Sequence, residues 1–576
     1  MERRLAKLYF LVALLALASI LVGCQGLTGG SGPIALAVTL AGAQTGMVSS
    51  TPAGIDCGQT CSASFQGGTV TLTASPLSGS KFTGWSGACS GTGSCTISKG
   101  GTQSVTATFN GSLQSINHIV FMVQENRSFD HYFGALRDYW AQNGYPDQAF
   151  DGLPQFNNPA GSAASNPGCD PAYPFQPSPA PFNDCTIDSN SPPVTSYHLI
   201  TQCVENPSPS WNEDHSDWNV SNPVSPTPTM DGFVHAAGHD VRKTQYVPGS
   251  NPPESDYDGI RAMGHYDGTD LPYYYFMASN FATSDRWFSP VMSRTQLNRE
   301  YLMAGTSLGH VYPPSGSGED VGAATQFTNQ TIFQELQGNN ISWRIYVSDY
   351  ASGGSPASHT ELGMYTFANS HAANFVPATQ FMTDVQNGTL PAVAEIDPGF
   401  AAGTDEHAEA DDSQPGGKIQ RGAQYVASLI NALMQSPSWK DTVFILTYDE
   451  FGGFYDHVPP QPTVSPDGIK PVDLLPGDIC TLTTGPTCDF VYTGYRVPLI
   501  VISPFSKKNY VSHTVADYTA ILKLIETRFP VPSLTKRDAA QMDMTEFFDF
   551  NAASWMTPPT PPTQPNSDPC YMNKLP

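Results

Sequence analysis

Charge is what this sequence has least of. Charged residues make up 13% of its 576 positions, and 26 Lys plus Arg face 51 Asp plus Glu, a formal net charge of −25. So acidic a chain repels polyanions, which argues against a nucleic-acid partner and against electrostatic adhesion to anionic lipid. Long apolar runs are missing after the first 22 residues, so no later stretch is fit to span a bilayer. The cysteines lack the spacing to histidine that a zinc finger needs. Gly (51) and Pro (50) are plentiful, and they predict a chain rich in turns and loops. Its length suffices for two domains, one of them large.

The chain begins Met1-Glu2-Arg3-Arg4-Leu5-Ala6-Lys7, then runs apolar from Leu8 to Val22 before Gly23-Cys24. A basic start and a run too short to span comfortably read as a cleaved export signal over residues 1–24. Leu21-Val22-Gly23-Cys24 resembles a bacterial lipobox, which implies a lipid on Cys24 and a membrane tether at the periplasmic face or cell surface. An ordinary signal with an incidental cysteine, and a secreted product, is the alternative. Setting Cys24 aside leaves ten of the 11 cysteines, an even number in a compartment that permits disulfides. The close pairs Cys57/Cys61, Cys89/Cys95 and Cys480/Cys488 suggest local bridges. Cys169/Cys185 and Cys203/Cys570 would then remain, although sequence does not fix that connectivity.

A Gly/Ser linker is expected over residues 25–32. Residues 33–112 alternate in period two between Gly, Pro and Ser turns, for example Ala35-Leu36-Ala37-Val38-Thr39-Leu40, which predicts a small all-β domain. Gly84-Trp85-Ser86-Gly87-Ala88-Cys89, closing on Val105-Thr106-Ala107-Thr108-Phe109, resembles a divergent internalin-type repeat. Trp85 reads as core rather than as a ligand platform. From residue 113 to 555 buried apolar runs alternate with helical patterns and long loops, so a mainly parallel sheet sandwiched by helices is expected. Within it, residues 141–251 read as a disulfide-pinned excursion, with His215 and Asp231-Gly232-Phe233 serving core, turn or pocket wall. The Pro-rich tail, residues 556–576, should be poorly ordered unless Cys570 pins it.

Two stretches carry the chemistry. Asn117-His118-Ile119-Val120-Phe121-Met122-Val123-Gln124 reads as a strand buried on both faces, and it breaks at once into Glu125-Asn126-Arg127-Ser128. Ligands bind at such carboxyl ends, and a carboxylate beside an amide oxygen offers two hard donors for a divalent cation. A capped turn, with Asn126 or Ser128 as the cap, is the simpler alternative. Asp441-Thr442-Val443-Phe444-Ile445-Leu446-Thr447-Tyr448 repeats the pattern and ends in Asp449-Glu450, then Gly452-Gly453. Adjacent carboxylates repel unless a cation lies between them or one is protonated. Trp287-Phe288-Ser289-Pro290-Val291-Met292-Ser293-Arg294-Thr295 leads into a helical pattern. There a hydroxyl can meet the anion-favouring helix N-terminus, or Thr295 can simply cap it.

These blocks, with Arg496-Val497-Pro498-Leu499-Ile500-Val501-Ile502-Ser503-Pro504, occur in one order over residues 115–530. Together they resemble the bacterial phospholipase C and acid phosphatase family of the alkaline phosphatase-like superfamily. The resemblance implies a metal held by Glu125, Asn126, Asp449 and Glu450, with Thr295 as a further ligand. It places Thr295 as nucleophile, Asn298 as a phosphate contact, and His407 as a catalytic histidine, with His371 as a second. Two departures stand out: Phe451 where many relatives carry His, and Ala408-Glu409-Ala410 after His407 instead of a Pro-rich segment.

All-oxygen donors favour Ca2+ or Mg2+ over Zn2+. The expected enzyme is a metal-dependent phosphoesterase that cleaves phospholipid head groups through a phosphothreonine, its partners being a phospholipid or phosphate-ester substrate and the membrane. An acid phosphatase acting on monoesters is one alternative, and a non-catalytic surface binding protein is another. Ser293 is the alternative nucleophile.

Overall fold

A computed structural model of the chain describes residues 32–43, 45–77, 79–176, 183–245, 256–314, 327–350, 360–408, 419–570 and 575. The export signal, the lipobox and all but the last residue of the linker lie outside the described residues. The chain divides into two compact units, residues 1–112 and 113–576.

The first unit is built from two four-stranded sheets. In one of them β1 (Ile34–Ala41) pairs in parallel with β2 (Gly101–Gly111). Period-two alternation does what the sequence predicts. Ile34, Leu36 and Val38 of β1, and Val105, Ala107 and Phe109 of β2, point into the core. Trp85 belongs to that core, and its indole N–H donates to the Gly93 carbonyl at 2.7 Å. Disulfides Cys57–Cys61 and Cys89–Cys95 close the short loops.

The second unit is organised on an eight-stranded sheet. In chain order its strands are β3 (His118–Gln124), β4 (Ala282–Ser284), β5 (Trp343–Val347), β6 (Phe375–Pro377), β7 (Val393–Asp397), β8 (Thr442–Tyr448), β9 (Leu499–Ile502) and β10 (Tyr510–Ser512). Their spatial order is β6-β5-β7-β3-β8-β9-β4-β10. The first five run parallel, and β9 is antiparallel to both of its neighbours. The block Arg496 to Pro504 supplies β9, and the edge strand β10 follows it in the chain. The central pair, β3 and β8, is the pair of continuous apolar runs singled out in the sequence, and every residue of β8 is buried.

Residues in register across parallel strands face the same side. Phe121, Ile345, Glu395 and Ile445 share one face, which meets Phe333 at a ring separation of 6.4 Å from Phe121. Met122, Tyr346, Ile396 and Leu446 share the other, where Tyr346 packs 5.4 Å from Phe381. Helices thus cover both faces. Those that position the site are α1 (Phe129–Phe133), α2 (Trp211–Trp218), α3 (Pro272–Asn280), α4 (Thr295–Ala304), α5 (Ile419–Met434) and α6 (Thr519–Arg528). Helix α4 packs on α6, and α3 packs on α5.

Three more disulfides form in this unit, Cys169–Cys185, Cys203–Cys570 and Cys480–Cys488. Cys570 does pin the tail. Upstream of it, Gln564 is buried and donates to the Asp270 carbonyl at 3.0 Å, so the residues described there are held against the fold. His215 and Phe233 serve the core. The His215 ring nitrogens sit 2.6 Å from the Trp211 carbonyl and 3.3 Å from that of Thr487, and Phe233 lies edge-on to Tyr455.

Ile445 is fully buried at the centre of β8. Ile445→Ala should therefore cost about 2–5 kcal/mol of unfolding free energy in the large unit. Equilibrium denaturation measures it, and a loss under about 1 kcal/mol would contradict this account of the core.

Candidate active site

The site grows out of the carboxyl ends of β3 and β8. Past β3 the backbone enters the left-handed region at Asn126 (φ 60°), and past β8 it does so at Gly452 (φ 72°) and Gly453 (φ 73°). Gly452 needs to be glycine for space as well. A Cβ there would lie 2.5 Å from the Asn126 carbonyl oxygen. These turns bring the two motifs face to face. Asp449 N–H donates to Gln124 O at 3.0 Å, Arg127 N–H to Glu450 O at 3.0 Å, and Asn126 N–H to Asp449 Oδ1 at 3.0 Å.

Thr295 arrives from a third direction. Arg294, not Thr295, caps helix α4, and no side chain satisfies the cap. The threonine is therefore not engaged as a cap, and its Oγ1 donates to Asn126 Oδ1 at 3.3 Å. It opens into a cleft of about 380 Å³ whose walls include Glu125, Arg294, Gln296, Glu361 and Phe400. The Ser293 hydroxyl is buried and donates to the Val311 carbonyl at 2.8 Å.

Thr295, Asn126, Asp449 and Glu450 are thus one connected group. Asp449 Oδ1 also accepts from Glu450 N–H at 2.8 Å, and Glu450 Oε2 accepts from Gly452 N–H at 2.6 Å. The second oxygen of each acid, Asp449 Oδ2 and Glu450 Oε1, is buried without a hydrogen bond. Burial, and then the neighbouring Asp449 carboxylate, pushes the Glu450 carboxyl well above the usual range, and Glu125 is raised by the same causes. Buried, mutually repelling carboxylates with oxygens that lack a hydrogen bond are what a divalent cation would satisfy. The donors present are all hard oxygens, so these residues fit such an ion.

Arg299, one turn beyond Thr295, links Glu125 to Asp449. Its Nη2 donates to Glu125 Oε1 at 3.0 Å and to Val123 O at 2.9 Å, while its Nε lies 3.4 Å from Asp449 Oδ2. This guanidinium partly neutralises both acids. Two tighter groups of acids with a histidine occur elsewhere among the described residues: Asp130, Asp456 and His457, and His198, Asp267 and Asp270. The first already has its cation. Arg496 Nε donates to Asp456 Oδ1 at 2.9 Å and its Nη2 to Asp130 Oδ1 at 3.1 Å. His457 adds a second, 2.6 Å from Asp130 and 3.0 Å from Asp151. That network clamps the two motifs together behind the site.

Two expected residues are elsewhere. Asn298 does not face a phosphate: its Oδ1 accepts from Val291 N–H at 3.0 Å, and its Nδ2 donates to Ser293 O at 2.5 Å and Arg294 O at 3.3 Å. The amide is engaged in shaping the loop that presents Thr295. His371 stacks 4.0 Å from Phe367 and 6.1 Å from Trp343, the first residue of β5, so it lies at the amino edge of the sheet, opposite the site. His407 is in the right loop, since Asp405 O accepts from Glu125 N–H at 2.8 Å. Burial, with Arg127 nearby, lowers the His407 imidazole to about 4.

Sequence reasoning missed Arg299, Glu406 and the wall residues Glu361 and Phe400. Arg299 carried a signal, its i, i+4 spacing from Thr295 on α4. Glu361 is raised to about 7 by burial, against the opposing pull of Arg299.

A model of the phosphoesterase family matches residues 116–532, and the chain belongs to that family. It is a hydrolase acting on phosphoric ester bonds. A divergent InlB B-repeat domain model matches residues 36–112. Among curated relatives, phospholipase C B of Mycobacterium tuberculosis is 29% identical, over 81% of this chain and 82% of its own length. Hemolytic phospholipase C of Pseudomonas aeruginosa is 28% identical, over 77% of this chain and 57% of its own. Non-specific phospholipase C1 of Arabidopsis thaliana is 27% identical, over 75% and 71%.

Two predictions come from the charges. Arg299→Met should destabilise the large unit by about 3–5 kcal/mol, because it strands Glu125 and Asp449 in the interior; denaturant unfolding reads it, and a neutral effect refutes the bridging role. The second concerns pH. Burial opposes the charged His457 ring, but Asp130 and Asp151 outweigh it and raise the group to about 9. A raised histidine contributes stability fully below its unfolded pKa of about 6.5, and the contribution is lost as pH rises through about 9. The melting-temperature gap between the wild type and His457→Gln should shrink over that interval. A constant gap would contradict it.

Proposed function

We propose that this chain is a metal-dependent phospholipase C that works through Thr295 and a phosphothreonine. The observation carrying the proposal is the Thr295 hydroxyl in the wall of a cleft, hydrogen-bonded to an Asn126–Asp449–Glu450 group in which Glu450 Oε1 is buried without a hydrogen bond. Family membership and relatives named phospholipase C support the substrate class.

Asn126, Asp449, Glu450 and Thr295 would hold the divalent ion, with Glu125 beside them. When bound, such an ion supplies positive charge that stabilises phosphoryl oxygens and lowers the pKa of an attached hydroxyl. The protein's own groups do the rest. Asn126 Oδ1 orients the Thr295 hydroxyl. Arg294 stands at the cleft wall, and the uncapped N-terminus of α4 adds N–H donors for an anion. His407, neutral before substrate arrives, takes the Thr295 proton as Oγ1 attacks phosphorus. It returns that proton to the departing diacylglycerol oxygen as the phosphorus–oxygen bond breaks. A water then hydrolyses the phosphothreonine, releasing the phosphorylated head group.

The location we propose is an exported protein anchored through a lipid on Cys24, with residues 33–112 as a spacer between anchor and enzyme. The ten cysteines paired in five disulfides are consistent with export.

The test is metal-replete protein on phosphatidylcholine vesicles and on p-nitrophenyl phosphate, side by side, with EDTA and Thr295→Ala controls. Diacylglycerol release should fall more than about 10³-fold with Thr295→Ala, as removal of a covalent nucleophile requires, and it should cease with EDTA. Turnover of the monoester alone would make the enzyme an acid phosphatase. No turnover of either would leave a binding protein. Activity that survives Thr295→Ala and dies with Ser293→Ala would reassign the nucleophile.

A further inference from the structure

One heavily bonded carboxylate lies outside the reacting group. Glu406 is buried, and its side chain accepts from three tyrosine hydroxyls and one amide: Tyr132 at 2.8 Å, Tyr448 at 2.8 Å, Tyr274, and Gln124 Nε2 at 3.1 Å. The donors come from α1, the end of β8, α3 and the end of β3, so the carboxylate ties together four elements remote in sequence. No guanidinium or ammonium group is among these four partners. A net acidic group placed in such a cage costs desolvation, which its hydrogen bonds offset.

The backbone around it is equally constrained. Glu406 adopts φ 70°, a conformation that a non-glycine residue holds only when its surroundings impose it. Its carbonyl oxygen accepts from both Nε (3.0 Å) and Nη2 (2.6 Å) of Arg127, itself fully buried under the ring of Phe454. A Cβ on Gly422 of α5 would press within 2.1 Å of the Glu406 Cγ, so the helix leaves room for this side chain. One residue further on is His407.

We propose that Glu406 is a positioning residue: its tyrosine-caged carboxylate and left-handed backbone aim the His407 imidazole at the phosphoryl group. The proposal rests on the role given to His407 above and deepens it. Loss of the cage should let the loop of residues 404–408 relax, so that the imidazole is present but misplaced.

The experiment is a kinetic double-mutant cycle with Glu406→Gln, His407→Ala and the pair, on phosphatidylcholine vesicles, in the metal-replete full chain. Tyr274→Phe, which removes one donor and keeps the ring, serves as the milder variant should Glu406→Gln fold poorly. The expected result is a kcat loss of about 10-fold or more for Glu406→Gln with KM within about 2-fold. The pair should lose no more than His407→Ala alone, because a misplaced histidine has nothing left to remove. Tyr274→Phe should give a smaller loss of the same kind. If the two losses multiply in the pair, Glu406 acts independently of His407 and the inference is overturned. If His407→Ala itself leaves kcat unchanged, the fault lies in the histidine's assigned role.

Discussion

Buried negative charge at one rim of the sheet is the constraint around which this molecule is arranged. Glu125, Asp449 and Glu450 are brought together at the ends of adjacent parallel strands, where water cannot relieve their repulsion. A fold tolerates such a concentration only by supplying counter-charge. Arg299 supplies part of it from α4, and its position fixes the threonine one turn earlier. Glu450 Oε1 stays buried without a hydrogen bond, while Asp449 Oδ2 has Arg299 Nε 3.4 Å away. The candidate site is thus a place where buried acids outnumber the guanidinium beside them.

Behind the rim, the same two motifs are stitched by a network in which charge does balance. Asp130 of α1, with Asp456 and Asp151, meets Arg496, Arg286 and a protonated His457. The contrast is instructive. Where acids are matched by cations the structure is a clamp, and where they are not it is a site. Composition alone, acidic throughout, could not have told these apart.

Much of the architecture was legible because strands buried on both faces leave an unbroken apolar run. Residues 118–124 and 442–448 announced themselves that way, and the polar breaks after them marked the chemical end of the sheet. The close cysteine pairs were legible from spacing. Asn298 was misread because one-turn spacing from Thr295 puts it near the nucleophile without saying where its amide turns, and it turns back onto residues 291–294. His371 was misread because a histidine carries no label for which end of a strand it accompanies. Glu406 was invisible for a different reason. Its neighbours Tyr132, Tyr274 and Tyr448 are ordinary core aromatics in sequence, and only their convergence makes a cage.

The central claim is that Asn126, Asp449 and Glu450, with Thr295, form a divalent-cation site. The most direct measurement is calorimetric titration of EDTA-stripped protein with Mg2+ or Ca2+, paired with thermal melting. The wild type should bind one ion tightly and gain several degrees of melting temperature, while a folded Asp449→Asn/Glu450→Gln variant should show neither. Equal binding by both proteins, or none by the wild type, would contradict the account.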